Sequence, residues 1–331
     1  MAGLALFGNL TETMASSAAV VLDHRLESVK LLPTASAPGT DSHHHGNLTI
    51  EAVSRPEISA PFRPRVFSMT AKDNRDGGRP SAWSATLDRL AADVDNDSET
   101  QRLIVVSAGN IEEPEAWLEY PNSNLTDGVH DPAQAWNALA VSAYTALADI
   151  TEAASHSYAP IAPAGGLSPF STTTVTWSKP WPLKPDVVFE GGNAARTNAF
   201  ATPYAEPRAS LSLLTTYRNP TARQFTTTSM TSAACSLAAR MGAQLMARYP
   251  EFWPETIRAL IVHSAEWTGA MREAFLPPTG RPAMKDMARL VRTCGFGVPD
   301  LDRAMWSVDN SLAIVCEDQL RPFKLAKGGD P

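Results

Sequence analysis

Hydrophobic positions along this chain fall into two patterns. Short β-branched runs, LIVVSAGN at residues 103–110, KPDVVF at 184–189 and LSLLTTY at 211–217, have the length and residue types of buried strands. Other stretches repeat their apolar residues at helical spacing. The clearest lies in residues 226–250, where Leu237, Met241 and Leu245 recur every four positions with Ala234 and Ala238 beside them, the stripe of a core helix that ends near Tyr249 and Pro250. Residues 253–267 predict an amphipathic helix with Pro254 in its first turn. Residues 47–59 read as helical up to Pro56, and residues 1–10 open directly in an apolar helical pattern with no cap or turn, as though a helix were entered midway. VVLDHRLESVKLLP at 20–33 is strand-like.

The intervening punctuation predicts loops. KDNRDGGRP at 72–80 is a turn-rich loop and DVDNDSETQ at 93–101 a solvated acidic one. Residues 111–134 form a long connection in which Trp117 and Tyr120 either line a pocket or pin the loop. Residues 152–183, rich in Pro and Gly and carrying Trp177 and Trp181, predict an excursion over the surface. Residues 193–209 and the stretch from 268 to about 284 read as further loops, followed by a Gly-Phe-Gly turn at 295–297. The tail begins like a strand and runs out in Lys, Gly, Asp and Pro, which divides the chain into a main domain at 1–309 and a tail or β extension at 310–331.

Composition narrows the class. The chain has 331 residues, 44% of them apolar, ample for a large core. A net charge of −7 without any Lys/Arg run excludes a nucleic-acid surface. No apolar run reaches the roughly 18 residues of a membrane span, and no charged leader precedes the first apolar stretch. Cys235, Cys294 and Cys316 are too widely spaced for a disulfide framework or a metal pair, and read as buried free thiols of a reducing compartment, cytoplasmic by default.

Candidate chemistry concentrates before the 226–250 helix. A hydroxyl at a helix N-terminus meets unpaired N–H groups and a positive potential, which suits a nucleophile as well as an ordinary N-cap. The histidines offer less. DSHHHG at 41–46 resembles half of a catalytic motif and a metal tract, but consecutive side chains cannot all face one centre, so the residues predict a loop. His24 and His263 read as core-edge residues, and His130 and His156 as loop residues.

Taken in order, LIVVSAGN, KPDV, TSMTSAA at 228–234 and CGFGVPDLDRAM at 294–305 resemble the subtilisin-like serine proteases, the subtilases. The resemblance implies an α/β, subtilisin-like three-layer fold with a mostly parallel central sheet, lacking its N-terminal strands. It makes RVFSMT at 65–70 the strand lining the substrate cleft, with Ser68, Met69, Thr70 and Ala71 pairing with an extended peptide, and 83–91 the helix after it. It also makes residues 135–145 the next strand, LSPFS at 167–171 a Phe-Ser turn, and Asn110 the oxyanion-hole residue. Two registers remain for the nucleophile. Matching letters favours Ser229. In the family the closing proline lies about eighteen residues, some five turns, after the serine, and counting back from Pro250 reaches Ser232, the preferred choice, with Met230 where the family has Gly.

Ala2-Gly3 resembles the end of the family's His-Gly-Thr-x-x-Ala-Gly motif, which places the catalytic His, and the Asp of an earlier strand, ahead of Met1. The implied activity is peptide-bond hydrolysis through an acyl-enzyme on a polypeptide substrate, without cofactor or metal. A chain lacking both partners of the serine is expected to be inactive alone; the alternative is a non-catalytic peptide-binding pseudoprotease. Loss of the leading strands is expected to leave open sheet edges. Oligomeric state stays open.

Overall fold

The computed structural model describes residues 1–31, 44–73, 77–96, 100–153, 155–198, 202–309 and 315–318. The strands are β1 (Val66–Met69), β2 (Leu103–Ser107), β3 (Leu139–Thr145), β4 (Tyr158–Pro160), β5 (Gly166–Leu167), β6 (Val187–Glu190), β7 (Ala194–Thr197), β8 (Ala205–Pro207), β9 (Leu213–Thr216) and β10 (Phe225–Thr228). α1 (Ala2–Phe7) and α2 (Leu10–Ala15) open the chain, α3 (His45–Ser59) leads into β1, and α4 (Ala82–Ala92) joins β1 to β2. The short α5 (Pro114–Trp117) and α6 (Asn122–Thr126) lie between β2 and β3. After β10 come α7 (Met230–Arg248), α8 (Pro254–His263), α9 (Gly269–Phe275), α10 (Met284–Cys294) and α11 (Leu301–Asp309).

The central sheet runs β1-β2-β3-β6 in parallel, with β5 antiparallel to the far end of β3. Every residue of β2 is buried because successive side chains enter opposite helical layers. Leu103 and Val105 join Leu139, Val141 and Val187 against Ala234, Ala238, Met241 and Leu245 of α7 and Ile257 and Ile261 of α8. Ile104 and Val106 face Leu87 and Ala91 of α4 and the buried Trp177. The fold is thus a three-layer α/β sandwich around a mostly parallel sheet. The alanines of α7 let its backbone lie close to the strands.

Several expectations need correction. Residues 193–209 are not a loop: β7 and β8 form a small antiparallel sheet with β4. The threonine-rich stretch ahead of α7 is β10, paired antiparallel with β9, and α9 interrupts the loop expected near 268–284. The excursion at 152–183 is buried over residues 166–174. Its small polar side chains serve backbone groups in the interior: Ser171 Oγ donates to Ala143 O, Thr172 Oγ1 to Ala108 O (2.9 Å) and Thr173 Oγ1 to Asn124 O (2.7 Å).

α3 continues past Pro56 to Ser59 although residue 56 has no N–H to bond back along the helix, and Pro56 O accepts from Ala60 N and from Arg65 Nη2. Asp93 is buried rather than solvated, bound to Arg102 Nη1 (2.9 Å) and Thr100 N (2.8 Å). Residues 25–31, expected to be strand-like, have no regular secondary structure and belong to no ladder. Cys235 and Cys294 are buried as expected, whereas Cys316 is exposed. Of the tail, 310–314 and 319–331 lie outside the described residues; Glu317 accepts from Trp253 N (2.9 Å) and Thr256 Oγ1, capping α8.

Candidate active site

Asn110 follows β2 and α7 follows β10, so the C-terminal end of the parallel sheet brings together two groups 121 residues apart. Asn110 Oδ1 accepts from Thr231 N at 2.9 Å and lies 2.7 Å from Thr231 Oγ1, whose single proton also has Gly109 O within 3.0 Å. The partner of a backbone N–H must be an acceptor, so the carboxamide orientation is fixed with oxygen toward the helix. Its NH₂ is thereby turned away from Thr231, and it makes no hydrogen bond among the described residues. Ser232, half-buried, is the next residue. Its backbone N–H, in the unpaired first turn of α7, likewise has no partner among the described residues. Ser232 thus sits at the positive end of a 19-residue helix, one residue after the Thr231 that contacts Asn110.

The chain reaches this geometry through a close turn. Met230, the first residue of α7, has φ 74°, a left-handed conformation that a glycine would adopt without strain, and its N–H donates to Gly191 O at 2.6 Å. A Cβ on Gly191 would stand 2.4 Å from Ala143 Cβ and 3.0 Å from Met230 O. Only glycine lets the turn after β6 lie against the start of α7. Glu190 holds that turn by accepting from Ala146 N (2.6 Å) and Gly192 N (2.7 Å), and its burial raises its carboxyl above the ordinary range despite both bonds.

Ser229, the other serine weighed, is the extended N-cap of α7, and its side chain makes no capping bond. Its Cβ packs against the Gly192 turn, 3.1 Å from where a Cβ on Gly192 would lie. Ser68 and Met69 lie in β1, Thr70 and Ala71 just past its end. Ser68 Oγ is 3.6 Å from Cys235 Sγ, which also approaches Met69 O at 3.7 Å, so this strand passes the turn of α7 that follows Ser232. Next along, Lys72 Nζ meets Glu112 Oε1 at 2.7 Å.

Burial pushes the Cys235 thiol up to about 12, which leaves it protonated and unreactive. Trp117 pins its loop, donating to Ile111 O at 2.8 Å and packing edge-on to Phe170. His45 is not in a loop: it begins α3, buried against Trp83, with Nδ1 3.5 Å from Asp73 Oδ2. Residues 41–43 lie outside the described residues. No group of three metal-ligating side chains occurs among the described residues, and Ser232 Oγ has no hydrogen-bond partner there. Thr231, which orients Asn110, was not singled out by sequence reasoning beyond its place beside Ser232.

The structure thus sets the start of a small-residue helix beside an asparagine at the C-terminal end of a parallel α/β sheet. The particular family follows from the sequence: residues 1–297 match the subtilase family, peptidase S8, and the chain belongs to it. An uncharacterized protein, y4bN of Sinorhizobium fredii, is 32% identical over 285 residues. That alignment takes in 82% of this chain and 62% of the relative, so the chain spans less than two thirds of the relative's length. Among solved structures, the self-cleaved protease domain of PatA aligns with TM-score 0.45 and 16% identity over 79% of this chain and 67% of that one. A protease from Pseudoalteromonas arctica aligns with TM-score 0.38 and 15% identity, over 70% of this chain and 48% of that one.

Proposed function

We propose that this chain carries the acyl-transfer half of a serine endopeptidase site, with Ser232 as nucleophile and Asn110 in the oxyanion hole. Ser232 Oγ attacks the scissile carbonyl carbon, losing its proton to a base. The carbonyl oxygen becomes an oxyanion held by Ser232 N–H and Asn110 Nδ2. Collapse expels the amine, which takes the proton, and water then releases the acid from the acyl-enzyme. The extended peptide pairs with Ser68, Met69, Thr70 and Ala71. The observation that carries this reading is the pair of contacts from Thr231 to Asn110 Oδ1, at 2.9 and 2.7 Å, which hold the asparagine beside the neighbour of Ser232 and leave its NH₂ free of Thr231.

A serine hydroxyl needs a base, and the base needs an acid to orient it. Neither contacts Ser232 among the described residues, so on this reading Ser232 depends on a His and an Asp supplied by a further polypeptide segment. A fluorophosphonate probe tests it. The chain alone should label no more than its Ser232→Ala variant does. A polypeptide in which an aspartate- and histidine-bearing segment precedes residue 1 should label at Ser232; label at Ser229 instead would refute the assignment.

The unpartnered Ser232 Oγ favours one second reading, a peptide-binding protein without chemistry. Extended peptides that bind the complete polypeptide while it neither labels nor cleaves them would establish that alternative.

A further inference from the structure

Residues 281–292 hold four cations, Arg281, Lys285, Arg289 and Arg292, and one acid, Asp286, in a chain whose net charge is −7. Most of this stretch is α10. Leu290, Thr293 and Cys294 turn one face of that helix into the core, where Leu290 packs with Met271 and Phe275 of α9. The outward face carries Lys285 and Arg289, both exposed, and the half-buried Arg292. Asp286 is occupied at the helix start, accepting from Ala283 N (2.9 Å), and Arg292 Nη1 donates to Thr174 O (2.9 Å). Arg281, Lys285 and Arg289 are in no ion pair among the described residues.

The helix itself gives no reason for these three cations. Its N-terminal end is positive, so Lys285 in the first turn and Arg281 just ahead of it oppose the dipole, and Lys285 repels Arg289 one turn on. Only Arg292, in the last turn, sits where a helix favours a cation. An apolar strip borders the row: Met284 is 88% exposed, and Ala288, one turn along, is exposed beside it. Cations without acids, held at a cost to the helix beside an uncovered methionine, mark a contact surface for an anionic partner.

We propose that the outward face of α10 binds an extended acidic protein segment, with Asp or Glu at alternate positions and an aliphatic residue over Met284. Lys285 and Arg289 lie about 6 Å apart along the helix axis, and Arg289 and Arg292 about 4.5 Å. Alternate side chains of an extended chain repeat at roughly 6.7 Å, so three acids on one side of it come within reach of the three long cationic side chains. The overall charge decides against larger polyanions. A lipid surface or a nucleic-acid duplex extends far beyond one row of cations and meets the repulsion of a chain at −7, whereas a short segment stays within the roughly 8 Å over which charges act at physiological salt. This face asks nothing of Ser232.

The test uses the full chain and a fluorescein-labelled peptide, Gly-Leu-Glu-Ser-Glu-Ser-Glu-Gly, followed by fluorescence anisotropy, with a control peptide in which every Glu is Gln. The acidic peptide should bind, more weakly as salt rises, and the Gln peptide should not. Lys285→Glu combined with Arg289→Glu should weaken binding by about tenfold or more, and the milder Lys285→Gln with Arg289→Gln should weaken it less. Both side chains are on the surface, so an unchanged Tm shows the variants folded. Equal binding of the two peptides, indifference to charge reversal, or no binding overturns the proposal. So does tighter binding of phosphatidylserine vesicles or of duplex DNA through the same two residues, or a concentration-dependent dimer that the reversal dissolves, each of which would make the occupant something else. A peptide held in the groove beside Ser232 would be indifferent to the reversal, so this outcome and that of the labelling experiment are independent.

Discussion

Thr231 is the residue on which the site's geometry turns. Its N–H donates to Asn110 Oδ1 and its hydroxyl lies within reach of the same oxygen; on the proposed reading the NH₂ of Asn110 then meets the oxyanion. In a polypeptide that joins an Asp- and His-bearing segment to this chain, Thr231→Val should keep the fold, cost about 1 kcal/mol of stability for the lost bond, and lower kcat more than it raises KM. Asn110→Ala should lower kcat by about 10² to 10³-fold, a magnitude known from another member of this family rather than from this chain. Steady-state kinetics on a peptide substrate checks both. Cys235 supplies a third expectation. With its thiol raised to about 12 by burial, it favours the folded state most fully below the ordinary thiol range, and that contribution fades as pH rises toward about 12. Ellman's reagent at neutral pH should titrate only Cys316 in the native chain and all three thiols after denaturation. Prompt reaction of Cys235 would contradict the packing beneath Ser68.

At the scale of elements, β2 and β6 were legible in the sequence because burial on both faces demands an unbroken apolar run. β10 was not, because its threonines alternate between half-buried and exposed, and a Thr-rich strand is indistinguishable from a turn without its partner β9. The buried passage at 166–174 hid for a related reason: Ser and Thr look like surface until their hydroxyls are seen serving interior carbonyls. Spacing alone placed Ser232 two residues into α7; the left-handed backbone of Met230 and the way Thr231 turns Asn110 are tertiary facts that no local pattern encodes. The turn after β6 is the most sensitive element. Gly191→Ala forces a Cβ to within 2.4 Å of Ala143 Cβ, and should cost about 2 kcal/mol in chemical denaturation while displacing the start of α7.

At the scale of the molecule, two features tie the sheet to its surroundings. Lys184, fully buried, donates to Asp186 Oδ2 (2.7 Å) and Ala138 O (2.9 Å), and Asp186 in turn accepts from Ala140 N (2.7 Å). Burial lowers the lysine below its ordinary range while the aspartate opposes that. Lys184→Ala leaves Asp186 with the more distant Arg258 Nη2 (3.4 Å) as its charged partner, and should cost up to about 3 kcal/mol by thermal or denaturant unfolding. The other is Glu27, which accepts from Arg65 Nε (2.7 Å) and Arg63 Nη1 (2.9 Å) and so ties the segment before α3 to the entry of β1. The chain belongs to the subtilase family over residues 1–297, and the proposed reading rests on the convergence of Asn110 and the start of α7 at one end of this sheet.

Mass-spectrometric mapping of a fluorophosphonate adduct, on a polypeptide in which an Asp- and His-bearing segment precedes residue 1, bears most directly on that convergence. The adduct should sit on Ser232, disappear in Ser232→Ala, and form more slowly in Asn110→Ala. An adduct on any other residue, or none in a folded protein that binds peptide, would contradict it.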